Sequence, residues 1–390
     1  MIADAVDEHR AAMADWTARL VAIPTENPPG NHYDEAIREI VRHLDRLGFH
    51  DTEIVGNCVL SFLGQGQRVL YWSGHYDVVP AQDRAQFTPH LGRSHLFGRG
   101  SSDMKGGLVA MVYAAKVLAD LRIPLGGRIG LVFVADEETA GPRGSRDLGA
   151  RGLLGRNGIG MLTPEPTGGV VWNANRGALT LEVTVKGKSA HVGQQFRGVN
   201  AFEQMLSVAD PLRRLKEEVE GRATSYRIAP DRARRSILMM GGQAAAGKNF
   251  NVVPERCSFS IDRRMNPEED FAEEKRRLLG TLDLVRASGI DFEVTILQEG
   301  ASAGVSEEEP LGRALAKNIR QVTGREARFE MCPGLLETRF YAERGIPAFA
   351  YGPGLLTVSH GPNEYVPVDR IAQCAKIYAL TAAEILPESS

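Results

Sequence analysis

Two side chains able to bind a metal ion, His75 and Asp77, stand two residues apart just beyond an apolar run, Val69-Leu70-Tyr71-Trp72. The run reads as a buried strand, and residues two apart on a strand share a face. Other apolar stretches end in the same kind of chemistry. The glycine-rich "GRGSSDMKGG" brings Asp103 to the start of a helix, and "GLVFVADEE" ends in Asp136, Glu137 and Glu138. "IGMLTPEPT" ends in Glu165, and "AFAYGPG" leads through "LLTVSHGPNE" to His360. In open α/β sheets ligands bind beyond the carboxyl ends of the strands, so these residues are expected to converge. Such a carboxylate cluster repels itself and resists desolvation unless a counter-charge is present. A divalent cation removes both difficulties. Imidazole and carboxylate donors without thiolate suit zinc, and less commonly cobalt or manganese.

The number of donors points to two ions. A pair about 3.5–4 Å apart needs one bridging carboxylate and about two further ligands for each ion. Asp103, His75, Glu165, Glu138 and His360 fit that count. Asp77 is left to orient the His75 imidazole. Glu137 is left as a base towards a water molecule. Each signal is weak by itself. "DEE" alone is an ordinary solvated charge run, and a lone His-x-Asp at a strand end is commonly incidental. "GRGSSDMKGG" is a poor phosphate cradle, because Asp103 falls where a dinucleotide fingerprint has its third glycine and would repel pyrophosphate. The specificity lies in the conjunction.

The elements that must position these residues are legible in outline. The chain of 390 residues exceeds one ordinary core, so two domains are expected. Helical spacing puts Met13, Trp16 and Leu20 on one face, "PTENPPGN" breaks the chain, and "YDEAIREIVRHLDRLGF" is a second amphipathic helix stopped by Gly48. Strands then alternate with helices, which predicts an α/β domain with a mostly parallel sheet. The texture changes near residue 178, where "ALTLEVTVKGK" alternates apolar and polar residues. From there to about residue 294 the order β-α-β-β-α-β predicts a ferredoxin-like α+β unit. The expected organisation is a catalytic domain of residues 1–177 and 295–390, interrupted by an inserted domain of residues 178–294.

The composition excludes some roles. Hydrophobic residues at 43% and charged residues at 24% are ordinary for a globular protein, and a net charge of -3 is not the footprint of a nucleic-acid binder. No apolar run is long enough to span a membrane. Asp4, Asp7 and Glu8 occupy the place where a signal peptide needs an apolar segment, so a cytoplasmic protein is expected. Cys58, Cys257, Cys332 and Cys374 form no Cys-x-x-Cys pair and read as buried free thiols.

Taken together, "SGHYDVVP", "GRGSSDMKGG", "ADEETAG", "EPT" and "SHGPNE" resemble the di-zinc amidohydrolase family of acetylornithine deacetylase, succinyl-diaminopimelate desuccinylase, aminoacylase-1 and carboxypeptidase G. The resemblance spans nearly the whole chain. It implies the same fold, with an inserted lid domain that often dimerises. It makes Asp103 the bridging ligand, with His75 and Glu165 on one metal and Glu138 and His360 on the other. Glu137 becomes the general base, Asp77 the partner of His75, and the Asp103–Met104 peptide bond is expected to be cis. In the lid, "GKSAHVGQ" places His191 at the developing oxyanion, commonly from a partner subunit. "NVVP" and "DRR" offer Asn251 and Arg264 to a substrate carboxylate, for which a guanidinium fork is suited. Arg263 is the neighbouring alternative, and on a strand only one of the two can face the site.

The implied reaction is hydrolysis of the amide bond of an N-acyl amino acid or related small compound. Dipeptide cleavage and hydrolysis of a non-amino-acid amide are the alternatives. A non-catalytic binding protein is disfavoured, because the ligand set and the base are all present. Glu337 in "PGLLETRFY", where relatives often carry Asp, and Gln194 and Gln195 after the lid histidine depart from the common pattern. These departures leave the acyl and amine specificity open.

Overall fold

The computed structural model of the chain describes residues 1–388. It forms two compact units, one of residues 1–173, 304–330 and 336–388, the other of residues 174–303 and 331–335. Among the described residues no helix is long and apolar enough to cross a membrane.

The centre of the first unit is a run of parallel strands in the order Arg128–Val134, Val69–His75, Gly158–Thr163 and Ala348–Ala350. An antiparallel hairpin, Thr52–Val55 with Cys58–Gly64, extends it beside Arg128–Val134. All seven residues of Val69–His75 are buried. The reason is that both faces are covered, as continuous apolar runs in parallel sheets require. Leu70 and Trp72 belong to a core formed with the helices Arg10–Ala22, Gly106–Asp120, Pro310–Thr323 and Val368–Ile385. Val69 and Tyr71 point the other way, into a core with Leu148 and Tyr341 from the short helices Ser145–Ala150 and Thr338–Ala342. Strand Val69–His75 is also where the winding reverses. The next parallel strand in sequence lies on one side of it and the following one on the other. Such switch points open a crevice at the carboxyl ends of the strands.

The second unit follows the expected β-α-β-β-α-β order. Its antiparallel sheet runs Ile237–Ala246, Arg256–Met265, Gly177–Lys186 and Phe292–Gly300. Helices Ala201–Glu220 and Phe271–Arg286 cover one face through Val208, Leu212, Leu278 and Leu282, which pack on Leu181, Val183 and Ile261. Asn200 and Asp270 cap the two helices by accepting backbone N–H groups of Glu203 and Glu273. Pro211 sits inside the first helix, which runs on without a break. The last strand continues past residue 294 to Gly300, because Thr295 to Gly300 keep pairing with Glu182 to Ala178 across a bulge. The second unit runs on to residue 303 before the chain returns to the first.

Candidate metal centre

The carboxyl ends of the parallel strands bring the cluster together. His75 closes its strand, 1% exposed, with Nε2 3.3 Å from Asp103 Oδ1 and 3.9 Å from Glu137 Oε2. Asp103 enters from the turn Ser101–Lys105, where the Asp103–Met104 peptide bond is cis. Its other oxygen lies 3.4 Å from His360 Nε2, which is 3.2 Å from Glu138 Oε2. His75, Asp103 and Glu138 each offer a ligand atom, all within 4.8 Å of one another. Glu165, beyond strand Gly158–Thr163, is buried in the same electrostatic neighbourhood. The two imidazoles differ in setting, since the His360 side chain is 50% exposed.

Electrostatics mark the cluster as incomplete. Burial pushes the Glu165 carboxyl up to about 8, with Asp103, Glu138 and Glu337 adding to the rise. Burial likewise holds Glu137 well above the ordinary carboxylate range, helped by Glu165, Glu138 and Glu337. Hydrogen bonds to Asp103 and Glu138 raise His360 to about 10. Burial works against a charged His75, but its bonds to Asp103 and Asp77 win and raise it too. Burial also opposes the Asp103 charge, and the two imidazoles overcome it and keep the carboxyl low. These shifts favour the charged imidazoles beside the Asp103 carboxylate. Even so, Glu138 Oε1 and Glu165 Oε1 are buried without a hydrogen-bond partner, and Asp103 Oδ1 has only the His75 imidazole nearby. Orphaned carboxylate oxygens converging with imidazole nitrogens fit divalent cations, which would replace the protons.

Asp77 is placed behind His75. The His75 Nδ1 is 2.9 Å from the Asp77 main-chain carbonyl and 3.6 Å from its carboxylate. The carbonyl accepts the imidazole N–H, and the carboxylate lies close enough to favour the charged ring while it takes other partners. Its oxygens accept the backbone N–H groups of Glu137 (3.3 Å) and Glu138 (3.2 Å) and the Asn27 amide (2.9 Å). Asp136, at φ 62°, turns away from the cluster. It accepts the Tyr33 hydroxyl at 2.9 Å and the Arg143 guanidinium, whose Nε is also 2.9 Å away.

Sequence reasoning did not single out Asn27, Arg99 or Glu364. Asn27 sits in the "NPPGN" break, and its amide also reaches Thr139 Oγ1 at 3.0 Å. Glu364 closes "SHGPNE", the stretch that carries His360, and offered that spacing as a signal. Glu337 is buried beside the cluster, where it accepts the Ser145 hydroxyl, and Arg339 Nη2 lies 3.7 Å from it.

His191, Asn251 and Arg264 belong to the second unit. His191 accepts the Gly193 N–H on Nδ1 at 3.1 Å. Val192 N–H donates to the Asn251 carbonyl at 3.0 Å, so these residues are neighbours, and Asn251 Oδ1 is buried without a partner. The two adjacent arginines part company as strand alternation requires. Arg263 is 1% exposed and pairs with Glu274 at 2.8 Å on the helix-covered face. Arg264 lies on the other face, where Asp262 accepts its fork at 2.7 and 2.9 Å.

A parallel-sheet switch point lined with imidazoles and carboxylates fits a metal-dependent hydrolase of amide or peptide bonds. The chain belongs to peptidase family M20/M25/M40, which it matches over residues 71–384. It is 27% identical to the succinyl-diaminopimelate desuccinylase of Paracoccus denitrificans (strain Pd 1222), over 94% of this chain and 96% of that one. Among solved structures it is similar to the di-peptidase Dug1p from Saccharomyces cerevisiae, with TM-score 0.79 and 16% identity over 99% and 98% of the two chains. It is also similar to an M20 family metallo-carboxypeptidase from Sulfolobus solfataricus, with TM-score 0.78 and 18% identity over 95% and 98%.

Proposed function

We propose that the chain removes an acyl group from the nitrogen of a small amino acid, as a deacetylase or desuccinylase does, using two divalent cations, zinc first. The observation that carries this is the convergence of five ligand-type side chains with orphaned carboxylate oxygens around Glu137. The full-length similarity to a desuccinylase supports the acyl-amino-acid class. We assign Asp103 to bridge the ions, His75 and Glu165 to one, and Glu138 and His360 to the other. Such a pair supplies Lewis acidity that polarises a carbonyl and brings a water molecule's pKa towards neutrality.

The protein's own groups do the rest. Glu137 takes the proton of the attacking water and passes it to the leaving nitrogen. It lies 3.9 Å from the His75 imidazole, beside the proposed ligands and free to carry that proton between the two steps. Asp77 fixes the turn that carries Glu137 and Glu138. By the resemblance, we assign His191 to the developing oxyanion and Asn251 and Arg264 to the substrate's free carboxylate.

We further propose a homodimer formed through the second unit. Its strand Ile237–Ala246 is a sheet edge on which Met239 is 47% exposed, and Phe250, in the segment that follows, is 97% exposed. The four cysteines are free and buried, in keeping with a cytoplasmic location.

The test is metal content measured together with hydrolysis of N-acetyl, N-succinyl and N-formyl amino acids and dipeptides. Two zinc ions per chain and chelator-sensitive release of one acyl class are expected. Uptake of no metal would sink the proposal, and turnover of dipeptides alone would move it to peptide cleavage.

A further inference from the structure

One buried ion pair outside the ligand set joins the two loops that carry Asp103 and His360. The Glu364 side chain is fully buried and Arg99 is 1% exposed, and Arg99 Nη1 donates to Glu364 Oε2 at 2.6 Å. Glu364 Oε1 accepts the backbone N–H groups of Ser102 and Asp103, both at 3.0 Å. On the other side, Arg99 Nη2 reaches the His360 carbonyl at 3.2 Å and Gln82 Oε1 at 2.7 Å. Gln82 Nε2 donates to the same His360 carbonyl at 2.9 Å. A continuous chain of bonds thus runs from the Asp103 amide through Glu364 and Arg99 to His360.

His360 needs such support. Its φ is 63°, a left-handed conformation that a side-chain-bearing residue holds only when its surroundings impose it. His75 instead ends a strand, where its backbone pairs with Val134. We propose that Arg99 and Glu364 are positioning residues that set the reach of His360 towards Asp103 and so govern the affinity of the ion His360 shares with Glu138. The inference rests on the two-metal reading above.

The experiment is zinc titration of the metal-free full-length chain, by calorimetry and by metal analysis, with Glu364→Gln beside the wild type. The substituted amide keeps the shape. If its oxygen still faces the two backbone N–H groups, its NH₂ meets the Arg99 guanidinium, donor against donor. Glu364→Gln is expected to keep one zinc within about threefold of wild-type affinity and to bind the other about 10–100-fold more weakly, the range for groups that orient metal ligands. Two ions bound with wild-type affinities, or both weakened alike, would overturn the inference. Should Glu364→Gln fail to fold, Gln82→Ala decides, because Gln82 is exposed and holds the same carbonyl. A several-fold loss confined to one ion supports the inference, and unchanged binding overturns it. A wild-type chain that takes up no zinc overturns the two-metal reading and this inference with it. Two ions in the wild type with no change in the variants overturns this inference alone.

Discussion

The molecule buries two clusters of opposite charges, one in each unit, and they are built to different rules. In the second unit, Arg263 pairs with Glu269 and with Glu274, and Arg222 reaches the same two carboxylates at 2.8 and 2.7 Å. Burial alone would push Glu269 up, but the Ser236 hydroxyl, the Asn266 N–H and Arg263 hold its pKa below the ordinary value. In the first unit, Glu165 rises to about 8 and carboxylate oxygens have no partner. The same residue types make a closed network in one place and an open one in the other. A closed network answers to packing and folding, and an open one answers to a ligand.

Glu137→Gln should break the open cluster's chemistry without touching its ligands. Turnover should fall by about 10²–10⁴-fold, the range for a general base, with metal content unchanged. Near-normal activity in that variant would dismiss Glu137 as the base.

Arg263→Met should break the closed cluster. Removing one partner of a buried pair costs about 3–5 kcal/mol, to be read from denaturant unfolding. Zinc uptake per folded chain should stay the same. A variant of wild-type stability would mean that the network contributes little.

The open cluster should also declare itself through pH. Glu165 is raised from about 4.5 to about 8 and His360 from 6.5 to about 10. In each case the folded state binds more protons than the unfolded state between the two values, so stability falls as pH rises. Metal-free protein should therefore lose thermal stability progressively between about pH 4.5 and 10, and zinc should restore it by displacing those protons. A flat stability profile for the metal-free chain would contradict this picture.

Asn27→Ala should have the smallest effect. It removes one of the three donors to the Asp77 carboxylate and none of the ligands. A loss of about tenfold in activity is expected, at the low end for a group behind the ligands, with little change in overall stability.

Much of this was legible in the sequence because the chemistry stands at strand ends. The apolar run before His75 announces a strand, and the sheet rule then says where His75, Glu137, Glu138 and Glu165 must meet. The alternation and order of the second unit were readable for the same reason, since period-2 patterns and helical spacing are local. What escaped was non-local or overlooked. Glu364 and Arg99 act on main-chain groups hundreds of residues away, and no spacing encodes that. Asn27 reaches Asp77 only once the chain has folded back. The hairpin Thr52–Val55 with Cys58–Gly64 did carry a signal, the two-residue Gly56-Asn57 turn between apolar runs, with Gly56 at φ 57°. For Arg263 and Arg264 alternation predicted that they would diverge, but only the helix packing decides which of them is buried.

The Asp77 carboxylate has a consequence for placement. It grips the adjacent amides of Glu137 and Glu138 at nearly equal length, 3.3 and 3.2 Å. The residues proposed as base and as metal ligand thus share one anchor. Both bonds end on a single carboxylate, so the two neighbouring amides are tied to the same point of the fold. On the proposed mechanism, that tie would keep base and ligand side by side.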